Sequence, residues 1–186
     1  MKLLFHPYLR YKFVNSLFTG LLGGAAFTIY GSLSPSTFSL GGIVLALGLM
    51  TLAYSYHRLM KLETFFRFSL AAEIIMLFMV GFFLLFSPYQ TTALIIYSAY
   101  QLSFILGGYL VRAETHFARH ARIMGWIDVV KQQGYLAGLT LSYAFYKLVE
   151  YYGINDAHIQ VYYLHFPLFF IEMLVIILLV RGFKKQ

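Results

Sequence analysis

Apolar residues run along this chain in long blocks, and polar residues gather in the breaks between them. A helix rises about 1.5 Å per residue, so a hydrocarbon core of roughly 30 Å takes about 20 residues to cross. Six blocks come close to or exceed that length: residues 13–33, 38–56, 66–86, 91–111, 133–149 and 159–180. Between them stand SPST at 34–37, HRLMKLETFFR at 57–67, SPYQ at 87–90, a charged stretch over 112–132 and EYYGINDAH at 150–158. The pattern predicts an all-α integral membrane protein of six transmembrane helices forming one domain over 1–186. Spans one to four fill 1–112, a loop fills 113–132, and spans five and six with a basic tail fill 133–186. Gly and Pro inside the blocks fit, because neighbouring helices can satisfy the backbone groups they free.

Composition strengthens this reading. The chain is 60% hydrophobic and 11% charged with a mean hydropathy of +0.72, beyond the range of a water-soluble domain of this length. A net charge of +7 would suggest nucleic acid in a soluble protein. Here the basic residues have to be placed against a bilayer first, and no nucleic-acid partner is expected. The absence of Cys excludes disulfides, thiolate metal sites and Cys nucleophiles together.

Short loops rich in Lys and Arg stay in the cytoplasm. Thirteen of the fourteen Lys and Arg residues fall before span one, between two and three, between four and five, or after six. The alternate loops hold only Lys147, beside Glu150 and Asp156. Both termini are therefore expected in the cytoplasm, with the chain in a bacterial inner (plasma) membrane. The small residues GGAA at 23–26 after a basic start also suit a cleavable signal peptide. Removing that span would set the other loops at odds with a six-span arrangement, so it is read as the first span.

In the charged stretch Phe117, Ala121, Met124 and Val129, joined by Trp126 and Ile127, fall near helical spacing, with His116, Arg119, His120 and Arg122 at other positions. This predicts an interfacial helix between spans four and five. The alternative is a solvated linker whose basic residues meet anionic headgroups, at about 1 kcal/mol each. Gly134 and Gly138 follow with the G-x-x-x-G spacing that lets helices approach closely.

The fourth span ends in GGYLVRAE, a basic loop with Gly125 follows, and the fifth span opens KQQGYLAGL. In these features, and in the basic loop HRLMKLETFFR after span two, the chain resembles the major facilitator superfamily of secondary transporters. It departs where Tyr54 and His57 replace the expected Gly and Asp, and where span five lacks the Gly-Pro signature of the antiporters. Family members have twelve spans in two six-span bundles, so the resemblance implies a half-transporter. Such a chain would work as a homodimer with a second copy of itself and carry a small-molecule substrate among membrane lipids by alternating access. It also implies an inverted repeat of three plus three spans. ILGGYLV at 105–111 then aligns with LLGGAAF at 21–27, and EMLVII at 172–177 with EIIMLF at 73–78.

That alignment pairs the two acids inside the spans. Glu73 lies about 9 Å and Glu172 about 12 Å from the cytoplasmic face at 1.5 Å per residue. A carboxylate at such depth costs about 2.5–3.5 kcal/mol on insertion scales, so it usually faces a cavity or a partner. Both are candidate proton-coupling or substrate-contacting groups, the other reading being buried packing residues. Gln101, near mid-depth in span four, is a candidate cavity residue, as is Asn15 in span one. Thr19, Ser103 and Ser142 are also polar within the spans, and such groups commonly bond a neighbouring helix. Tyr97, Tyr100 and Tyr143 lie deep enough to touch a substrate, whereas Tyr151, Tyr152, Tyr162 and Tyr163 mark an interface. Arg58, Lys61, Arg67, Arg112 and Glu114 are candidates for a cytoplasmic gate linking spans two to four.

His57 and His165 lie at opposite ends of their spans and cannot jointly ligate a haem. His116 and His120 stand four apart without the Glu of H-E-x-x-H, and no metal or other cofactor is expected. No nucleophile sits beside convergent acids, so an enzyme is not expected. The rival to a carrier is a non-transporting membrane subunit or assembly and scaffold protein of a larger complex.

Overall fold

The computed structural model describes residues 1–31, 33–86 and 90–184. Residues 87–89 of the break expected at 87–90 and the basic residue Lys185 lie outside the described residues. Two short strands, β1 (Lys2–Leu3) and β2 (Phe183–Lys184), frame seven helices among the described residues. These are α1 (Phe5–Tyr30), α2 (Pro35–Tyr54), α3 (Tyr56–Leu59), α4 (Leu62–Phe86), α5 (Gln90–Ala118), α6 (Ala121–Tyr151) and α7 (Ala157–Arg181). Helices α1, α2, α4, α5 and α7 are long and apolar enough to cross a membrane, which makes the chain an all-α, membrane-embedded protein. Helix α6 is as long but less apolar, with Arg122, Asp128, Lys131, Gln132 and Gln133 in its first half and Ser142 and Lys147 beyond.

The polar breaks hold the helix ends. Ser34 caps α2 by accepting from the Thr37 N–H at 3.4 Å, with Pro35 in the first turn, where its missing N–H leaves no bond unmade. Asp156 caps α7 in the same way through Ile159 at 3.0 Å. Helix α6 stops at Gly153, whose φ of +84° turns the chain. There Gly153 N–H donates to Glu150 O and Ile154 N–H to Val149 O, satisfying carbonyls that the helix end leaves free.

The chain between the fourth and fifth apolar blocks differs from the expectation. Helix α5 does not stop at 111 but runs to Ala118, and α6 begins at Ala121. No separate interfacial helix intervenes. Arg119, in the left-handed region at φ 55°, reverses the chain so tightly that Phe117 stays on α5 while Ala121, Met124, Trp126, Ile127 and Val129 fall in the first turns of α6. In consequence His116 ends α5 while His120 precedes α6, so the two do not share a helix face.

Packing runs from helix to helix in the order α6, α1, α7, α4, α5, α2, with lighter contacts of α1 with α5 and of α6 with α5 and α7. Between α1 and α6 the contact is backbone on backbone. A methyl on Gly134 would strike the Phe13 carbonyl, and one on Gly138 the Leu17 carbonyl. Gly20 completes the seam, where a methyl would lie 2.9 Å from Leu139 N. The G-x-x-x-G spacing is thus used against α1. Helix α2 is the outlier, leaning on α5 and burying only Gly41. At one end of the bundle Tyr8, Phe65, Phe117 and Phe183 stack on one another, and Leu3 pairs with Phe183. The two chain ends therefore lie side by side.

Candidate functional site

A cleft of about 410 Å³ opens between α1 and α5. One wall carries Tyr11, Lys12, Asn15 and Thr19, the other Tyr100, Ser103, Gly107 and Glu114. Helix α4 supplies Glu73 and Met76 between them, and Lys131 of α6 reaches in near the end where the chain termini meet. The walls are otherwise apolar, with Phe18, Leu22 and Phe104 among them.

Glu73 is 4% exposed. Its Oε1 accepts from the Tyr11 hydroxyl at 2.5 Å and from Asn15 Nδ2 at 2.9 Å. Tyr11 and Asn15 stand four apart on α1 and so present two donors from one helix face. Behind Glu73, where α4 packs on α7, the carboxyl group of Glu172 lies nearby. Glu172 is fully buried, does not line the cleft, and has no donor for either oxygen among the described residues. Two carboxyl groups so near each other away from water oppose each other's ionisation, so the pair is suited to carry a proton.

A second group lies closer to the chain ends. Lys12 Nζ is 2.8 Å from Glu114 Oε1, and Lys131 Nζ is 3.5 Å from Glu114 Oε2 and 3.6 Å from Asp128. The Tyr8 hydroxyl also donates to Glu114. The Lys12 ammonium lies 5.4 Å and 5.5 Å from the ring centroids of Tyr8 and Tyr11, where the ring faces attract it. Removing one member of so enclosed a pair would leave a charge stranded out of water.

Of the residues singled out from the sequence, the structure brings Glu73, Glu172, Asn15 and Glu114 to this region. Tyr100 and Ser103 line the cleft, whereas Gln101, expected there, does not line it and is buried with its Oε1 unpartnered among the described residues. Tyr97 bonds the Phe38 carbonyl at 3.2 Å and fastens α5 to α2. Tyr143 is 67% exposed on the outer side of α6. Thr19 and Ser142 bond the carbonyls of Asn15 and Leu21. Arg58, Lys61, Arg67 and Arg112 are exposed and are not gathered at Glu114. Arg67 instead pairs with Glu63 at 2.5 Å on its own helix, and Arg58 donates to His57 at 3.1 Å. His165 is buried, its Nδ1 2.7 Å from the Val161 carbonyl and its ring against Phe83.

Tyr8, Tyr11, Lys12 and Lys131 were not anticipated. A signal for the first three exists: Tyr8, Tyr11 or Lys12, Asn15 and Thr19 recur every three to four positions and draw one polar stripe along an otherwise apolar helix. No family model, curated protein or solved structure matches the chain.

Proposed function

We propose that the chain is a six-span, facilitator-type half-carrier that moves a small solute by alternating access. Two copies face one another, and a proton on the Glu73 and Glu172 pair couples the movement. The observation that carries this reading is the acid pair set at the back of an open cleft, with one member inside the cleft and the other sealed behind it.

Helix α6 serves as the fifth of six spans, since 31 residues at about 1.5 Å each exceed the bilayer core and leave its charged first turns at the surface. Neighbour relations support the inverted repeat. Exchanging the first three spans with the last three turns the α1 contact with α6 into that of α5 with α2, and the α1 contact with α7 into that of α5 with α4. The contacts of α4 with α7 and of α1 with α5 map onto themselves, whereas the light contacts of α6 with α5 and α7 have no counterpart of like size between α2 and α1 or α4. Glycines follow the same rule: Gly23 and Gly107 both border the cleft, whereas Gly24 faces α6 and Gly108 faces α2. The acid pair then lies on the pseudo-two-fold axis, where both access states present it alike. The adjacent chain ends and the Lys and Arg residues shared by that end favour cytoplasmic termini.

In this mechanism Glu73 exchanges its proton with the cleft, and Tyr11 and Asn15 stabilise its ionised form. Glu172 holds the proton when Glu73 has none. The test is reconstitution into liposomes loaded with a pH-sensitive dye and exposure to panels of organic anions, cations and neutral solutes. The expected result is solute-dependent proton movement that Glu73→Gln abolishes while solute exchange at equal pH persists. A stoichiometric heterologous partner that copurifies in mild detergent, with the assembly fully active after Glu172→Gln, would instead support the scaffold role.

A further inference from the structure

The charges and donors inside the cleft bear on what it carries. Four ionisable groups of opposite sign line it, Lys12 and Lys131 against Glu73 and Glu114. Glu114 is already engaged by both lysines and by Tyr8, and Glu73 Oε1 by Tyr11 and Asn15. Each ammonium has three N–H donors. Lys12 uses one on Glu114, and Lys131 spreads its own over Glu114 and Asp128 at 3.5 and 3.6 Å. Donors in excess of acceptors, on positive groups, are what an acid headgroup needs and what an amine would meet as repulsion. Next to this head site the walls are aromatic and aliphatic, through Phe18, Leu22, Met76, Tyr100 and Phe104.

We propose that the cleft binds a small organic anion with an apolar body, its acid group on Lys12 and Lys131, and that the anion loads together with a proton on the Glu73 and Glu172 pair. The co-loading rests on the carrier reading above; the binding does not. The coupling is a matter of charge. With one proton on the pair, the lining charges and Glu172 sum to zero, and with both acids protonated they sum to plus one. Lys12 follows Tyr11, which holds Glu73, so an anion on Lys12 lies near the acid pair and binds more readily when that pair is neutral. The groups facing the pair are Tyr8, Tyr11, Lys12 and Asn15 from α1 and Tyr100 from α5, with Glu114 of α5 and Lys131 of α6 farther along the cleft toward the chain ends. Among these the lysines bring the positive charge, and Glu114 offsets one of them. Proton and anion then favour each other's binding by the same factor. A volume of about 410 Å³ suits a ring and a short chain.

The probe is radiolabelled 4-phenylbutyrate in equilibrium dialysis with the purified full chain in mild detergent, compared with 4-phenylbutyramide and 4-phenylbutylamine. At about pH 5.5 the carboxylate is expected to bind at least about tenfold more tightly than the amide, and the amine not to compete. By about pH 8 its affinity should fall about tenfold or more, while Glu73→Gln holds one affinity at both pH values. Lys131→Gln, at the more exposed lysine, should weaken carboxylate binding about tenfold without altering amide binding. Tighter binding of the amine, or an unchanged pH dependence in Glu73→Gln, overturns the proposal, and the probe comparison on the unaltered chain needs no variant to fold. Carboxylate binding as expected without any flux in liposomes would sustain the anion site and sink the carrier reading. Proton flux driven by the amine would do the reverse.

Discussion

A methyl group on Gly138 tests the seam between α1 and α6. Built on the existing backbone it would lie 2.9 Å from Gly20 Cα and from Leu21 N, and closer still to the Leu17 carbonyl, whereas ordinary contact begins near 3.4 Å. These are backbone atoms and cannot rotate aside. Helix α1 must withdraw from α6 by at least about half an ångström, and such overpacking costs about 1–3 kcal/mol. Alanine also favours the helix by about 0.8–1 kcal/mol over glycine, which offsets part of that cost. Gly125 supplies the control, since it lies on the same helix and a methyl there meets nothing within 4 Å. Gly125→Ala should therefore gain about 1 kcal/mol and Gly138→Ala should lie about 1–3 kcal/mol below it. Adding Gly20→Ala to Gly138→Ala should cost less than the sum of the single changes, because the first displacement makes room for the second methyl. The measurement is reversible unfolding in mixed micelles at increasing SDS fraction. Equal stability of Gly138→Ala and Gly125→Ala would refute the close approach of the two helices.

Other expectations rest on charge, burial and backbone shape. Lys12→Met should destabilise the fold by about 1–3 kcal/mol, since Glu114 loses its shortest ion pair but keeps Tyr8 and the longer contact with Lys131, and Lys12→Met with Glu114→Leu should recover most of that loss in the same unfolding assay. Glu172→Met should raise stability by about 1–3 kcal/mol, since it removes a fully buried group without a donor, and should abolish proton movement in liposomes. Arg119→Gly relieves a left-handed backbone at φ 55° and should stabilise by about 1–2 kcal/mol, read as a shift of the unfolding midpoint. Asp156→Ala removes the cap of α7 and should cost about 0.5–2 kcal/mol.

Five apolar blocks were legible as membrane-crossing helices because the length of an apolar run depends only on the chain itself and on the thickness of the bilayer. The capped breaks at Ser34 and Asp156 and the glycine stop at Gly153 are local in the same sense, each made by residues within a few positions of the helix end. The close-packing glycines at 134 and 138 could also be recognised by their spacing, though not their partner, Gly20 of α1. Which face of each span looks inward could not be read. In a bilayer the outside of a bundle is as apolar as its interior, so the periodicity that reveals a buried face in water is largely lost. Tyr143 and Tyr97 therefore ranked alongside Tyr100, and only packing separated an outward tyrosine and a fastening one from one that lines the cleft. Arg67, for the same reason, was grouped with Glu114, although its own helix offered Glu63.

By itself the chain determined that two acids lie within membrane-crossing helices, since that follows from their position inside apolar runs. Only the tertiary structure decided that they lie near each other. Glu73 and Glu172 stand on α4 and α7, Tyr11 and Asn15 reach Glu73 from α1, and Lys12 and Lys131 approach Glu114 from two different helices. Contacts between residues 17 to 106 positions apart on different helices depend on how those helices cross, and crossing is set by small side chains and backbone approach along the whole seam.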